Sequence, residues 1–275
     1  MALTMLKVDP TLEQSIDRDL LEIKTSLFYP KIEFSTDVKK YNISTAKTRR
    51  DILDLIELRR HSFFHDFGME NLNTHDLFDE YDHRADHVIL RDKESGTLIG
   101  CYRILHSDHT DKFYSQEQYE MNDFLRQPGT KIELSRACIH KNYRNGISLN
   151  LMWKGIAAYA VRSQAKYMFG CASVKSTSVR LAKSMFWNLF PGHFDSDKSV
   201  GVLPDYKTPE LDDISDLLPF EMIEDHIPPL LKSYLRAGAK ICSEPALDKK
   251  FRCFDFFTVL DLGQLNTQHK EKFFK

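Results

Sequence analysis

The sequence predicts an α/β protein built on a mixed sheet, and three observations carry that reading. Val88–Leu90 and Leu98–Ile104 flank Asp92-Lys-Glu-Ser-Gly96, a hairpin signal with glycine in the turn. Lys131–Ile139, Ser148–Lys166 and Tyr167–Val174 read as a strand-helix-strand unit. The remaining elements do not alternate regularly, which excludes a simple doubly wound sheet.

Taken in order, Leu12, Ile16, Leu20, Ile23 and Leu27 recur at helical spacing over residues 11–27, and Lys31–Ser35 is a candidate first strand. Thr48 and Asp51 form a capping box before Ile52, Leu55, Ile56, Phe63 and Phe67, the apolar face of a longer helix. Residues 68–86 are irregular and acidic. After the hairpin and the strand-helix-strand unit, Ser178–Phe190 is again helical. Residues 191–225, acidic with Pro and Gly, read as an insertion or lid. Pro228 and Pro229 open a helix that ends near Gly238, and Lys240–Cys242 and Arg252–Leu262 are two final strands.

The 275 residues carry 42% hydrophobic and 28% charged side chains, ordinary for a globular protein with a substantial core. A formal charge of -2 supplies no basic field for nucleic acid. Five widely spaced cysteines with no CxxC argue against a disulfide framework and a zinc site, and fit a reducing compartment. The N-terminus lacks the pattern of a signal peptide, and no stretch reaches the roughly 18 apolar residues of a spanning helix. The expectation is a cytoplasmic protein with no resident metal.

Four constellations could carry chemistry. In Asp79-Glu-Tyr-Asp82-His-Arg-Ala-Asp86-His87, the carboxylates either cap local amides in a solvated loop or form a charged site, and a metal site ranks last because the spacing matches no zinc or calcium motif. Arg103 lies in an apolar strand, sharing a face with Cys101, and either sits at a wet strand end or forks to an aspartate. In Lys131–Cys138, period two puts Glu133, Ser135 and Ala137 on one face and Leu134, Arg136 and Cys138 on the other. A partly desolvated Glu133 would suit proton removal from an amine, or a cross-strand structural pair. Arg144, Asn145 and Gly146 precede a helix, where free N–H groups offer a seat for phosphate.

In chain order, Arg60-His-Ser-Phe-Phe64, Asp79-x-Tyr-Asp82-x-x-x-Asp86-His87, Gly-x-Tyr-Arg103, Phe113-Tyr-Ser and Glu133-x-Ser-Arg136-Ala-Cys-Ile-His form one series. Tyr143-Arg144, Leu151-Met-Trp153-x-Gly155, Phe169-Gly-Cys171-Ala-Ser173, Pro229-Leu-Leu-Lys-x-Tyr234 and Asp248-x-x-Phe251 continue it. The series, over roughly residues 50–262, resembles the ornithine-lipid-type N-acyltransferases, a GNAT branch related to the acyl-homoserine-lactone synthases. That resemblance implies a GNAT domain over 46–275; the insertion at about 191–225 and the N-terminal extension of helix plus strand over 1–45 are read from the residue pattern and are not assigned by it. It implies a splayed sheet holding the 4'-phosphopantetheine thioester of a fatty acyl-acyl carrier protein, or an acyl-CoA. The acceptor would be an amino acid such as ornithine, and the product a lyso-aminolipid made at or near the inner membrane. By the same resemblance Glu133, Arg136 and Arg103 are catalytic. Arg60, Phe64, Asp79, Asp82, Asp86 and His87 bind substrate, and Arg144, Asn145 and Gly146 hold the carrier phosphate. Arg144-Asn-Gly146-Ile-Ser148 departs from the usual Gln/Arg-x-x-Gly-x-Gly/Ala loop, which favours a carrier protein over acetyl-CoA. Glu70 replaces the tryptophan of the lactone synthases. A lactone or other N-acyl amino acid synthase, and an inactive GNAT-like binding module, are the rival readings. Phe254, Phe256 and Phe257 are candidates for lining an acyl tunnel.

Overall fold

The computed structural model describes residues 28–68 and 74–274. The helix expected over 11–27, and Glu70, lie outside them. Among the described residues, β1 (Ser35–Val38), β2 (Tyr41–Thr45), β3 (Asp86–Asp92) and β4 (Leu98–His106) run antiparallel in sequence order. The sheet continues through β6 (Lys131–Ile139), β7 (Tyr167–Val174), β11 (Cys253–Asp261) and β10 (Ala246–Asp248), and β9 (Lys240–Ile241) also pairs with β11. A two-residue β5 (Tyr119–Glu120) pairs with β8 (Gly201–Val202) outside it. Among the described strands only β6 and β7 pair in parallel, joined by a strand-helix-strand crossover. This strand order is a mixed, mostly antiparallel sheet, as the GNAT resemblance implies.

The helices, all ranges being of described residues, are α1 (Arg49–Phe67), α2 (Thr74–Leu77), α3 (Asn122–Arg126), α4 (Gly146–Arg162), α5 (Val179–His193), α6 (Phe220–Ile223), α7 (Pro229–Ala237) and α8 (Thr267–Phe273). α1 starts where the capping box predicts: Thr48 Oγ1 accepts the Asp51 N–H at 3.1 Å and Asp51 accepts the Thr48 N–H at 3.0 Å. Such a cap contributes about 1 kcal/mol.

The candidate strand Lys31–Ser35 is displaced to Ser35–Val38. The N–H groups of Lys31 and Ile32 go to the Asp86 carboxylate at 2.8 and 3.0 Å instead of to a ladder. β1 and β2 thus extend the main sheet. β10, α3, α8 and the short 3-10 turn Tyr114–Glu117 carry no strong periodic signal, and their residues do not declare them in advance.

One sheet face packs on α4 through Trp153, Met152 and Ile156, and on α5 through Met185 and Phe186. On the other face α1 packs over β4 and β6, with Ile89 of β3, through Cys101 and Cys138, and residues 113–125 cover the far strands through Phe113, Tyr119 and Phe124. Between those two apolar clusters a polar strip crosses the sheet. The insertion expected at 191–225 packs on α5, where Trp187 Nε1 donates to the Leu211 carbonyl and Ser184 Oγ accepts the Leu218 N–H. Phe254, Phe256 and Phe257 are fully buried core, the first two against α5 and the third among the aromatic rings of the opposite face.

Two irregularities shape the middle of the sheet. The parallel ladder stops after Lys131–Tyr167, Ile132–Met168 and Glu133–Phe169, although both strands run on, so β6 and β7 splay apart. At the parting point a Cβ on Gly170 would lie 2.2 Å from the Leu134 carbonyl oxygen, so only glycine fits. Beyond it lies a β-bulge. Cys101 pairs with Cys138 and Arg103 with Ser135, so Tyr102 opposes both Arg136 and Ala137. Arg136 takes the left-handed conformation, φ 51°.

Candidate active site

Strict alternation would send Arg136 to the face opposite Glu133 and Ser135. The bulge inserts one residue and turns it back. Ser135 is level with Arg103, and Cys138 with Cys101, so Glu133, Ser135, Arg136 and Cys138 all share the α1 face with Arg103. The alternation expected from period two is corrected on this point.

Arg103 is fully buried. Its Nε donates to Ser135 Oγ at 2.9 Å, and Nη1 donates to Asp79 Oδ1 at 2.6 Å and Asp82 Oδ2 at 3.4 Å. Arg136 Nη2 donates to Asp79 Oδ2 at 2.9 Å. Asp79 and Asp82 also serve their own turn, since Asp82 Oδ2 accepts the Asp79 N–H and Asp79 Oδ1 accepts the Tyr81 N–H. Local capping and a charged site are therefore the same structure. Burial pushes the Asp82 carboxyl up, but the guanidiniums of Arg59, Arg103 and Arg136 outweigh it and hold it at about 2.

A third guanidinium comes from Arg59, whose Nη1 donates to Asp82 Oδ1 and the Leu77 carbonyl, each at 2.8 Å. Arg60 and Phe64, expected to bind substrate, lie on the outer side of α1, and helix phase gives the buried positions to their neighbours. Arg59 and Phe63 follow Leu55 at four-residue steps on the buried face, whereas Arg60 pairs with Glu57 and Phe64 is 46% exposed. Both pairs satisfy Arg-x-x-x-Phe, so only the apolar phase Ile52, Leu55, Ile56 separates them. Arg59→Lys should cost about 1–3 kcal/mol in urea unfolding, because an ammonium cannot reproduce the fork and leaves an acceptor unmet. Arg60→Lys should stay within about 0.5 kcal/mol.

Aromatic rings wall the cluster. The Tyr114 ring centroid lies 4.9 Å from Arg103 Cζ and 5.1 Å from Arg136 Cζ. Phe63 and Phe251 lie 5.3 and 5.6 Å from Arg136 Cζ. Among the described residues, Arg103 Nη2 and the Nε atoms of Arg59 and Arg136 are buried without a hydrogen-bond partner. Three guanidiniums thus face two aspartates with donors to spare. Tyr114 and Phe251 stand in the motif series without a role, and only contact with arginine supplies one.

Glu133 is fully buried. Oε1 accepts the Ser115 N–H at 2.6 Å and Ser115 Oγ–H at 2.5 Å, and Oε2 accepts the Tyr114 N–H at 2.8 Å. It anchors the turn that carries Tyr114, and burial raises its proton affinity.

His87 is buried beside Arg59 Nη2, 3.5 Å from Nδ1, and burial lowers its pKa well below the usual imidazole range. Asp86 stands apart from this cluster, bound by Lys31 N–H, Ile32 N–H and Tyr159 Oη–H. Asn145 caps α4, its Oδ1 accepting the N–H groups of Ile147 and Ser148 at 3.0 Å each. A phosphate at Arg144, Asn145 and Gly146 would displace that cap. Among the described residues, no group of three His, Cys, Asp or Glu side chains is placed to hold a metal ion. No described helix is long and apolar enough to cross a membrane.

The polar strip ends at Asp255 on β11, a buried carboxylate in an aromatic run. Burial pushes its pKa up to about 6 from 3.8. Such a group stabilises the fold fully below pH 4, and that contribution is lost as pH rises through about 6. Asp255→Asn should therefore reduce the loss of unfolding free energy between pH 4 and 7.5 by up to about 3 kcal/mol. An unchanged pH slope would contradict it.

Residues 58–154 match the acetyltransferase (GNAT) domain family. An L-ornithine N(alpha)-acyltransferase of Brucella abortus (strain 2308) is 29% identical over 82% of this chain and 86% of that protein. The L-ornithine N(alpha)-acyltransferase of Rhizobium meliloti (strain 1021) is 30% identical over 70% of this chain and 68% of its own. The chain belongs to the L-ornithine N(alpha)-acyltransferase family. It is an acyltransferase. Among solved structures, that of the AHL synthase LasI shares the fold at a TM-score of 0.50 and 13% identity, over 88% of this chain and 96% of that one.

Proposed function

We propose that this acyltransferase moves a fatty acyl group from the phosphopantetheine thioester of an acyl carrier protein to the α-amine of ornithine, forming a lyso-aminolipid. The observation that carries the reading is the splay of β6 from β7 next to the bulged Arg136. Strand edges that part while continuing leave backbone N–H and C=O groups unladdered, able to align an extended pantetheine arm and to steady a thioester oxyanion. A small cavity of about 20 Å³ at the parting point, lined by Leu134, Met168, Gly170, Thr258 and Leu260, would be where the acyl chain enters. The shortage of a GNAT-type phosphate loop favours the carrier protein over a CoA nucleotide.

The acceptor's carboxylate would take the spare donors of Arg103 and Arg136. Glu133 Oε2 keeps a lone pair beyond its Tyr114 bond and would accept the ammonium proton, directly or through water. The freed amine attacks the thioester carbonyl, the C–S bond breaks, and the thiolate leaves and takes a proton. Orientation of two bound reactants would supply most of the acceleration. The enzyme would work in the cytoplasm, releasing a product that partitions into the adjacent membrane leaflet.

The test is transfer from 3-hydroxyacyl-acyl carrier protein to ornithine, read by mass spectrometry, with Glu133→Gln beside the wild type. Glu133→Gln should lose about 100-fold in kcat. It should regain rate as pH approaches the amine's own pKa, where no base is needed. It should also unfold more easily, because one amide oxygen cannot serve three donors. Full activity in Glu133→Gln would remove it from the chemistry, and no product from the wild type would sink the reading.

A further inference from the structure

On the same sheet face as the arginine cluster, across the gap, a second set of polar groups is left incomplete. Asp248 and Asp255 are 5% and 4% exposed. One amide serves both, Gln118 Nε2 donating at 3.0 Å to Asp248 Oδ2 and at 2.9 Å to Asp255 Oδ2. Their other donors are the Phe251 N–H, Ser173 Oγ–H and the Cys253 thiol, all neutral. Among the described residues, neither carboxylate has a cationic partner. Gln118 is itself 3% exposed, and its Oε1 is buried with no hydrogen-bond partner.

Two buried negative charges with no counter-charge, beside an idle acceptor oxygen, are costly unless a cation completes them. The loop 248–251 ties this set to the arginines, because Phe251 gives its N–H to Asp248 and lays its ring 5.6 Å from Arg136 Cζ. The strip therefore runs from excess positive charge at Arg103 and Arg136 to excess negative charge at Asp248 and Asp255, with Glu133 and Ser115 between.

We propose that Asp248, Asp255 and Gln118 Oε1 form a subsite for the distal ammonium of a diamino-acid acceptor, which selects that substrate class and protects the second nitrogen. The inference rests on the reading above and deepens it. The reacting nitrogen must become neutral, so it cannot sit against two uncompensated carboxylates. The other nitrogen must stay protonated, and these carboxylates hold it so. An ammonium lodged here keeps no lone pair for attack, which directs the acyl group to the α-nitrogen. The raised proton affinity of Asp255 fits a carboxylate waiting for its cation.

The experiment compares kcat/KM for ornithine and for 2-aminopentanoate, which has the same carbon chain without the distal amine, in the wild type, Asp248→Asn and Asp255→Asn. The ratio of two acceptors on one preparation does not depend on the folded fraction, so a destabilised variant still reports. The wild type should prefer ornithine by about 100-fold, the loss expected when a buried charge loses its partner. Each variant should narrow that preference to within about tenfold and release some product acylated at the distal nitrogen. A wild type that uses both acceptors equally, or variants that keep its ratio and regiochemistry, would overturn the subsite alone. A wild type that acylates neither would overturn the reading beneath it as well.

Discussion

Asp82→Asn should lower the unfolding free energy by about 3–5 kcal/mol at pH 7 and abolish acyl transfer. Asp82 is fully buried and joins the fully buried Arg59 and Arg103, with side-chain contacts at 2.8 and 3.4 Å. Asparagine keeps the shape and one oxygen. It leaves Asp79 as the sole aspartate facing three guanidiniums, and an amide N–H2 pointed at donors. Neither arginine can discharge, so the strain must appear as lost packing or entering water. Because Asp82 is held at about 2 against 3.8 when unfolded, its stabilisation is present above pH 4 and lost as pH falls through 2. The gap between wild type and variant should therefore narrow by about 2 kcal/mol on acidification to pH 2. Guanidinium titrations from pH 2 to 7.5 check this. A constant gap would place the effect in shape, not charge.

The same cluster shows what can and cannot be read from the chain. Strong periodicity declares its elements: Lys131–Ile139 and Tyr167–Val174 are strands over the residues expected, and the Thr48 box starts α1 where it should. Asp79, Asp82, Arg103 and Arg136 were legible because charged side chains in apolar strands or beside strand starts need partners. Their arrangement was not. A bulge is a count of residues against a neighbouring strand, and nothing in Ser135-Arg136-Ala137 announces that Tyr102 will oppose two of them. Arg59 against Arg60 is a matter of helix phase, decided by Leu55 four residues earlier. Asp255 and Gln118 meet across 137 residues, and sequence separation that long hides a partner from any local pattern. Asn145 shows a different effect: a residue expected at a phosphate seat also caps its own helix.

Gly170→Ala should cost about 4 kcal/mol or more and impair transfer even in molecules that remain folded. Its added Cβ would meet the Leu134 carbonyl oxygen at 2.2 Å and the Leu134 carbonyl carbon at 3.3 Å, both backbone and so unable to rotate aside. Relief requires β6 to shift away from β7. That movement strains the last ladder pair, Glu133 with Phe169, and the bond from Thr258 Oγ1 to the Gly170 carbonyl at 3.1 Å. Glu133 is the residue that pins Tyr114 between the arginines, so a displaced β6 carries the site with it. The damage should therefore exceed what stability alone predicts, with kcat falling in the folded fraction. Gly192→Ala is the control, since an added Cβ there meets nothing within 4 Å, and it should change stability by less than about 1 kcal/mol. Thermal unfolding with single-turnover transfer assays separates the two effects. A Gly170→Ala protein that melts like wild type would mean that the strands part without needing a glycine where they cross.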